Sequence, residues 1–110
     1  MGDKNMDEKM ELTIFEIISQ GGNAKGLAYE ALGAAEKGDY EKADELLKEA
    51  DQCLLEVHRI QTDLIQAEAR GERADVSLLL VHAQDHLMTA IEAKSLIEYL
   101  IKLHKKIDSK

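Results

Sequence analysis

The chain has 110 residues, enough for one domain with a modest core. It carries 22 acidic against 14 basic residues, a formal charge of −8, so its surface repels the phosphates of nucleic acid and a nucleic-acid partner is not expected. The single cysteine, Cys53, excludes an internal disulfide, and no run approaches the ~20 apolar residues of a membrane span. No basic start followed by an apolar stretch marks a secretory leader, and a reducing, cytoplasmic setting is expected.

Proline is absent and aromatic residues make up 4% of the chain. With abundant Ala, Leu, Glu and Lys, this composition predicts an all-α protein. Residues 1–7 are polar and predict a flexible N-terminal tail, leaving 8–110 as a single three-helix domain. Helix breaks are expected at Gly38, followed by Asp39 as a cap, and at Gly71, followed by Asp75 or Ser77. The predicted helices are therefore 8–37, 40–70 and 76–107, running up, down, up through two short turns.

The first predicted helix carries Leu12, Phe15 and Ile18 and, after a break, Ala28, Ala31, Leu32 and Ala35. The break is Gly21-Gly22. Two glycines inside a helix cost ~1 kcal/mol each relative to alanine. Either the pair is a tolerated kink, or another backbone or a ligand approaches there. The second helix has a stripe of Ala43, Leu47, Ala50, Leu54, Val57 and Leu64, with the polar Gln61 on the same line.

The third helix is wider in its apolar surface. One stripe runs through Leu80, Ala83, Leu87, Ala90, Ile97 and Ile101, a second through Leu79, His86, Ala93 and Leu100, and Leu96 and Leu103 extend it. Three helices of roughly 45 Å, at 1.5 Å per residue, make a thin bundle that cannot cover all of this. Soluble proteins avoid large exposed apolar patches, so a homo-oligomer with this helix at its centre is expected. Lys102, Lys105 and Lys106 complement the helix's C-terminal dipole.

Within that helix the stretch LLLVHAQDHLMTAI places His82, Asp85 and His86 inside a sector of roughly 100°. Histidines four apart can share zinc, but Ala83 stands where a metalloprotease helix needs its glutamate, and only His58 offers a conceivable third ligand. His86 lies on an apolar stripe, which favours a core histidine over a ligand. His82 lies off it, followed by Asp85 and Thr89 on its own face, and this gathering of polar groups suggests a site. A third reading is nucleophilic: a neutral imidazole attacks phosphorus and later passes the phosphoryl group on, with no nucleotide loop needed. Gln61, Gln84, His86 and Thr89 are available as supporting donors.

VHAQDHLMTAI resembles the phosphorylation motif of the lactose/cellobiose family of enzyme IIA proteins of the sugar phosphotransferase system. GNAKGLAYEALGAAEKGDYEKADELL, HRIQTDLI and LIEYLIKLHKK fit the same family, so the likeness spans roughly 8–107. Lys25 and Gly26 stand where members often carry Arg and Ser. The resemblance implies a homotrimer of three-helix protomers and a phosphocarrier, a phosphotransferase component. In it His82 accepts a phosphoryl group from the carrier protein HPr. It then donates to a cysteine of enzyme IIB, while the membrane subunit IIC imports a β-linked disaccharide such as lactose, cellobiose or chitobiose. Cys53 is not that cysteine and reads as a packing residue.

The resemblance also implies that Asp85 from each of three protomers meets near the trimer axis and holds a divalent ion of the Mg²⁺ kind. No cofactor is needed for the chemistry itself. Crowded carboxylates require such compensation, and their oxygens suit a hard cation. The competing readings are a histidine phosphotransfer domain of two-component signalling and a non-catalytic, metal-binding helical adaptor.

Overall fold

The computed structural model describes residues 4–72 and 76–110. Its elements are α1 (Lys4–Glu36), α2 (Tyr40–Ala69) and α3 (Leu78–Asp108), and among the described residues no strand occurs. Of the predicted tail, residues 1–3 lie outside the described residues and 4–7 already belong to α1. The molecule measures 65 × 21 × 20 Å. Its radius of gyration, 17.3 Å, exceeds the ~13 Å of a compact chain of this size, so it is a thin rod as the helix lengths predict.

Both turns close the same way. Gly38 and Gly71 take positive φ, 82° and 88°, which residues with a Cβ resist. At the first turn the Gly38 amide donates to the Ala35 carbonyl and the Asp39 amide to Ala34, both at 2.9 Å. At the second, Gly71 donates to Glu68 and Glu72 to Ala67. These are Schellman closures, which satisfy helix-end carbonyls otherwise left without partners. Asp39 then caps α2, its carboxylate accepting from the Lys42 amide, so one residue ends one helix and starts the next. Ser77 caps α3 by accepting from the Leu80 amide at 3.1 Å; Asp75, the other cap candidate, lies outside the described residues.

The protomer's central helix is α1, which packs along both neighbours, whereas α2 and α3 meet each other sparingly. Its buried line is Ile14, Ile17, Gly21, Ala24, Ala28, Ala31 and Ala35, an unbroken alternation of three- and four-residue steps. This corrects the sequence reading. Leu12 and Phe15, expected on the packing face, are 70% and 57% exposed. Gly21 is a member of the stripe rather than a break in it, and α1 is helical throughout. A similar shift holds in α2, where Leu46 and Ile60 are buried and Leu47, Leu54 and Gln61 lie half-buried beside them.

Two apolar clusters fill the interior. Near the first turn, Ala28, Ala31, Ala35, Ala43, Leu46, Ile97 and Ile101 pack together. Toward the other end the cluster is Ile14, Ile17, Val57, Ile60, Ala83 and Leu87. Each helix passes between them through one fully buried alanine, Ala24, Ala50 or Ala90. The shared membership of the clusters fixes the up-down-up order.

Where α2 and α3 do meet, polar groups bridge them. Lys94 occupies the α3 position between Ala90 and Ile97, its side chain only 12% exposed, and pairs with Asp51 of α2 and Glu98 of α3. Burial presses its ammonium toward losing a proton. The bonds to Asp51 and Glu98 outweigh that and hold its pKa above the ordinary lysine value. The Tyr40 hydroxyl donates to the Asp108 carboxylate, which raises its pKa in turn, and Lys105 lies 3.6 Å from Asp44.

Candidate functional site

The site grows from the start of α3. Ser77 fixes where the helix begins, and His82 follows five residues later, exposed to solvent. Four residues on, His86 lies half-buried, and the two imidazoles stack with centroids 6.2 Å apart and planes 18° from parallel. Residues four apart lie on the same face of a helix, so each ring is the other's neighbour there.

The far side of His86 is defined by α1. A Cβ added at Gly22 would lie 3.4 Å from His86 Nε2, and one at Gly21 would lie 3.7 Å from the Leu87 Cα and 3.8 Å from His86 Cδ2. The glycine pair therefore marks where another backbone approaches, and that backbone is α3 at the histidine. Sequence reasoning raised this possibility for the glycines without connecting it to His86. The signal was the adjacency of two glycines in an otherwise alanine-rich helix.

The other expected site residues divide into two groups. Asp85 is exposed, and its carboxylate has no hydrogen-bond or ion-pair partner among the described residues. Thr89 donates its hydroxyl to the Asp85 carbonyl at 2.9 Å, which ties it to its own helix backbone and leaves its oxygen free to accept. Gln84 stands about 160° around α3 from His82 and accepts a hydrogen bond from Gln61 of α2. One protomer thus brings His82, Asp85, His86 and Thr89 to one flank and joins Gln61 to Gln84 on another.

Among the described residues no three His, Cys, Asp or Glu side chains converge, so a histidine zinc site has no third ligand within the protomer. A lone exposed Asp85 carboxylate offers hard oxygen donors and nothing blocks it, which fits an Mg²⁺-like ion only if further carboxylates come from other copies. Cys53 is half-buried on α2 with a free thiol. Around the histidines, Leu78, Leu79, Val81 and Met88 expose apolar surface, and Ile91, Leu96, Tyr99, Leu100, Leu103 and Ile107 continue it along α3. No helix among the described residues is long and apolar enough to cross a membrane.

Known proteins resemble this chain in both sequence and fold. Residues 12–105 match the family model described as the lactose/cellobiose-specific IIA subunit of the PTS system. The lichenan-specific phosphotransferase enzyme IIA component of Bacillus subtilis (strain 168) is 48% identical, the alignment covering 93% of each chain. A lactose-specific EIIA component of Streptococcus mutans is 43% identical over 90% of this chain and 95% of that protein. Among solved structures, the cellobiose-specific enzyme IIA of Bacillus anthracis superposes with a TM-score of 0.88 at 47% identity, covering 91% of this chain and 92% of the other. The chitobiose IIA in its complex with HPr superposes with a TM-score of 0.79 at 41% identity, over 89% and 95%. With three helices in the matching order and a family match across most of its length, this chain belongs to the lactose/cellobiose-specific IIA family and is a phosphotransferase component of that system.

Proposed function

We propose that His82 is the phosphoacceptor of this IIA component. The observation that carries the reading is that His82 alone combines full access to a partner with an imidazole neighbour that orients its ring. Support for the donor comes from the solved chitobiose IIA, a relative whose structure is a complex with HPr. A neutral ring nitrogen of His82 attacks the phosphorus of phosphohistidine on HPr. The new N–P bond forms as the old one breaks, and the departing imidazole keeps the electron pair and takes up a proton. In the second transfer a IIB cysteine thiolate attacks the same phosphorus, and His82 is the leaving group. The transferred group is charged throughout, so positioning and hydrogen-bond donors do most of the catalytic work. His86 supplies the position. Thr89 is committed to its own helix backbone, and the Gln61–Gln84 pair ties α2 to α3 away from the same protomer's His82. The setting is the cytoplasm, and the imported sugar is a β-linked disaccharide handled by IIC.

The exposed apolar length of α3 supports a homotrimer with α3 innermost. In that assembly one Asp85 from each copy would hold an Mg²⁺-like ion, which supplies charge compensation among the carboxylates and no chemistry at phosphorus. Asp85→Leu trimers should then lose one bound divalent ion per trimer by metal analysis; retention of that ion would remove Asp85 as its ligand.

The test of the central assignment uses phosphoenolpyruvate, enzyme I and HPr. Phosphorylation should be acid-labile and base-stable, absent in His82→Ala, and retained at a reduced rate in His86→Ala. Labelling that persists in His82→Ala would place the acceptor elsewhere.

A further inference from the structure

Phosphoryl transfer from an exposed histidine does not by itself require glycines in a neighbouring helix, yet α1 has two opposite His86. Elsewhere along its buried line α1 uses alanine wherever a small residue suffices, at Ala24, Ala28, Ala31 and Ala35. Alanine is the better helix former, and while Gly26 and Gly33 of α1 face open space, Gly21 and Gly22 are the glycines of this helix at which a methyl group would meet a neighbour. The two differ in what that neighbour is. A methyl group at Gly21 would meet Leu87 at 3.7 Å and the carbon Cδ2 of His86 at 3.8 Å, ordinary van der Waals contact that displaces neither. At Gly22 the one neighbour within 4 Å is the Nε2 of His86, at 3.4 Å, the near limit of such contact.

None of the hydrogen bonds among the described residues uses that nitrogen, and since no buried side-chain nitrogen or oxygen there lacks a partner it reaches water, which a methyl group against it would strip away. The His86 ring has α1 as one neighbour and the stacked His82 ring as another. A side chain at position 22 therefore cannot move His86 without changing its relation to His82.

We propose that Gly22 is a positioning residue for phosphoryl transfer: the side chain it lacks leaves room for the His86 ring, and His86 held there keeps the His82 ring in one orientation. The proposal rests on His82 being the phosphoacceptor. It needs no contact between Gly22 and phosphate; the effect passes through one imidazole to the next. Attack on phosphorus requires the nitrogen lone pair to point along the incoming bond, and misplacement by an ångström costs on the order of a hundredfold in rate.

The experiment compares Gly22→Ala and Gly22→Val with Gly21→Ala, each alone and with His86→Ala, in the full chain. Two quantities are read: the ¹⁵N imidazole resonances of His82 and His86 in the unphosphorylated protein, and the rate of labelling from phospho-HPr. Gly22→Ala should shift both histidines' resonances and slow labelling about threefold, and Gly22→Val about tenfold or more. Gly21→Ala should leave the rate unchanged. With His86 already replaced by alanine, neither change at Gly22 should slow labelling further. Unshifted His82 resonances with a wild-type rate in Gly22→Val would overturn the proposal, as would equal slowing with and without His86. If the valine variant does not fold, Gly22→Ala in the two backgrounds decides by the same criteria. Labelling that survives His82→Ala is a different failure: it removes the acceptor, while the ring resonances would still respond to position 22.

Discussion

The two faces of α3 both carry large apolar side chains and meet opposite fates. Toward α1, Ala83, Leu87, Ala90, Ile97 and Ile101 are all but sealed from solvent. Around the helix, Met88, Leu96, Tyr99 and Leu103 are more than half exposed, and His82 and Asp85 stand on that open side. The inner face holds a protomer together and the outer face is left exposed. In the proposed assembly a site at the edge of such a face would gain neighbours from other copies, whereas one on the inner face would not.

The largest expected effect breaks the inner face alone. Leu87→Ala removes a side chain that is fully buried against α1 and should destabilise the protein by about 2–5 kcal/mol in urea unfolding. Leu96→Glu tests the outer face. It should reduce the mass by light scattering from that of a trimer toward that of a single chain, while helical circular dichroism is retained. A wild type that scatters as a monomer at micromolar concentration would remove the contrast between the faces.

Lys94 sharpens the comparison, because it is a charge set into the inner face. Lys94 and Tyr40 both hold their protons more tightly in the folded state. The stability they add is therefore fully present below their ordinary values, around pH 10, and is lost as pH rises through the raised ones. Lys94→Met and Tyr40→Phe should each flatten that alkaline loss in thermal melts between about pH 9.5 and 11.5. At neutral pH Lys94→Met should change stability by about 1 kcal/mol or less, because Asp51 and Glu98 keep access to water and the lysine's own burial penalty disappears. The smallest effect is Gly21→Ala, which should stabilise the protein by up to ~1 kcal/mol in the same melts, since its methyl group meets Leu87 without strain.

Helix number, order and turns were legible because they depend on local chemistry: no proline, two glycines at positive φ, and caps at Asp39 and Ser77. The inner stripe of α3 was legible too, because Leu and Ile mark it without competition. In α1 the larger Leu12 and Phe15 drew the stripe onto the wrong face, since hydrophobicity was read residue by residue and Gly21 was read as an interruption. A close helix contact inverts that weighting, for the residue that best serves it is the smallest. Lys94 escaped notice for a related reason, as a charge on an apolar line is recognisable only once Asp51 across the interface is known.

At the site, the spacing of His82, Asp85 and His86 on one flank followed directly from helical geometry. The pairing of Gln84 with Gln61 did not, because it depends on how α2 lies against α3. The approach of His86 to the space beside Gly22 is of the same kind, since it involves residues more than sixty positions apart.

The layer of Ala24, Ala50 and Ala90 gives the rod a waist that divides its interior into two compartments. Alanine has no rotamers, so repacking cannot spread through that layer by side chains changing places. A disturbance at the turn end therefore reaches the histidines more readily by a shift of whole helices than by alanines changing places, and substitutions around the first turn should affect phosphorylation less than substitutions beside His86.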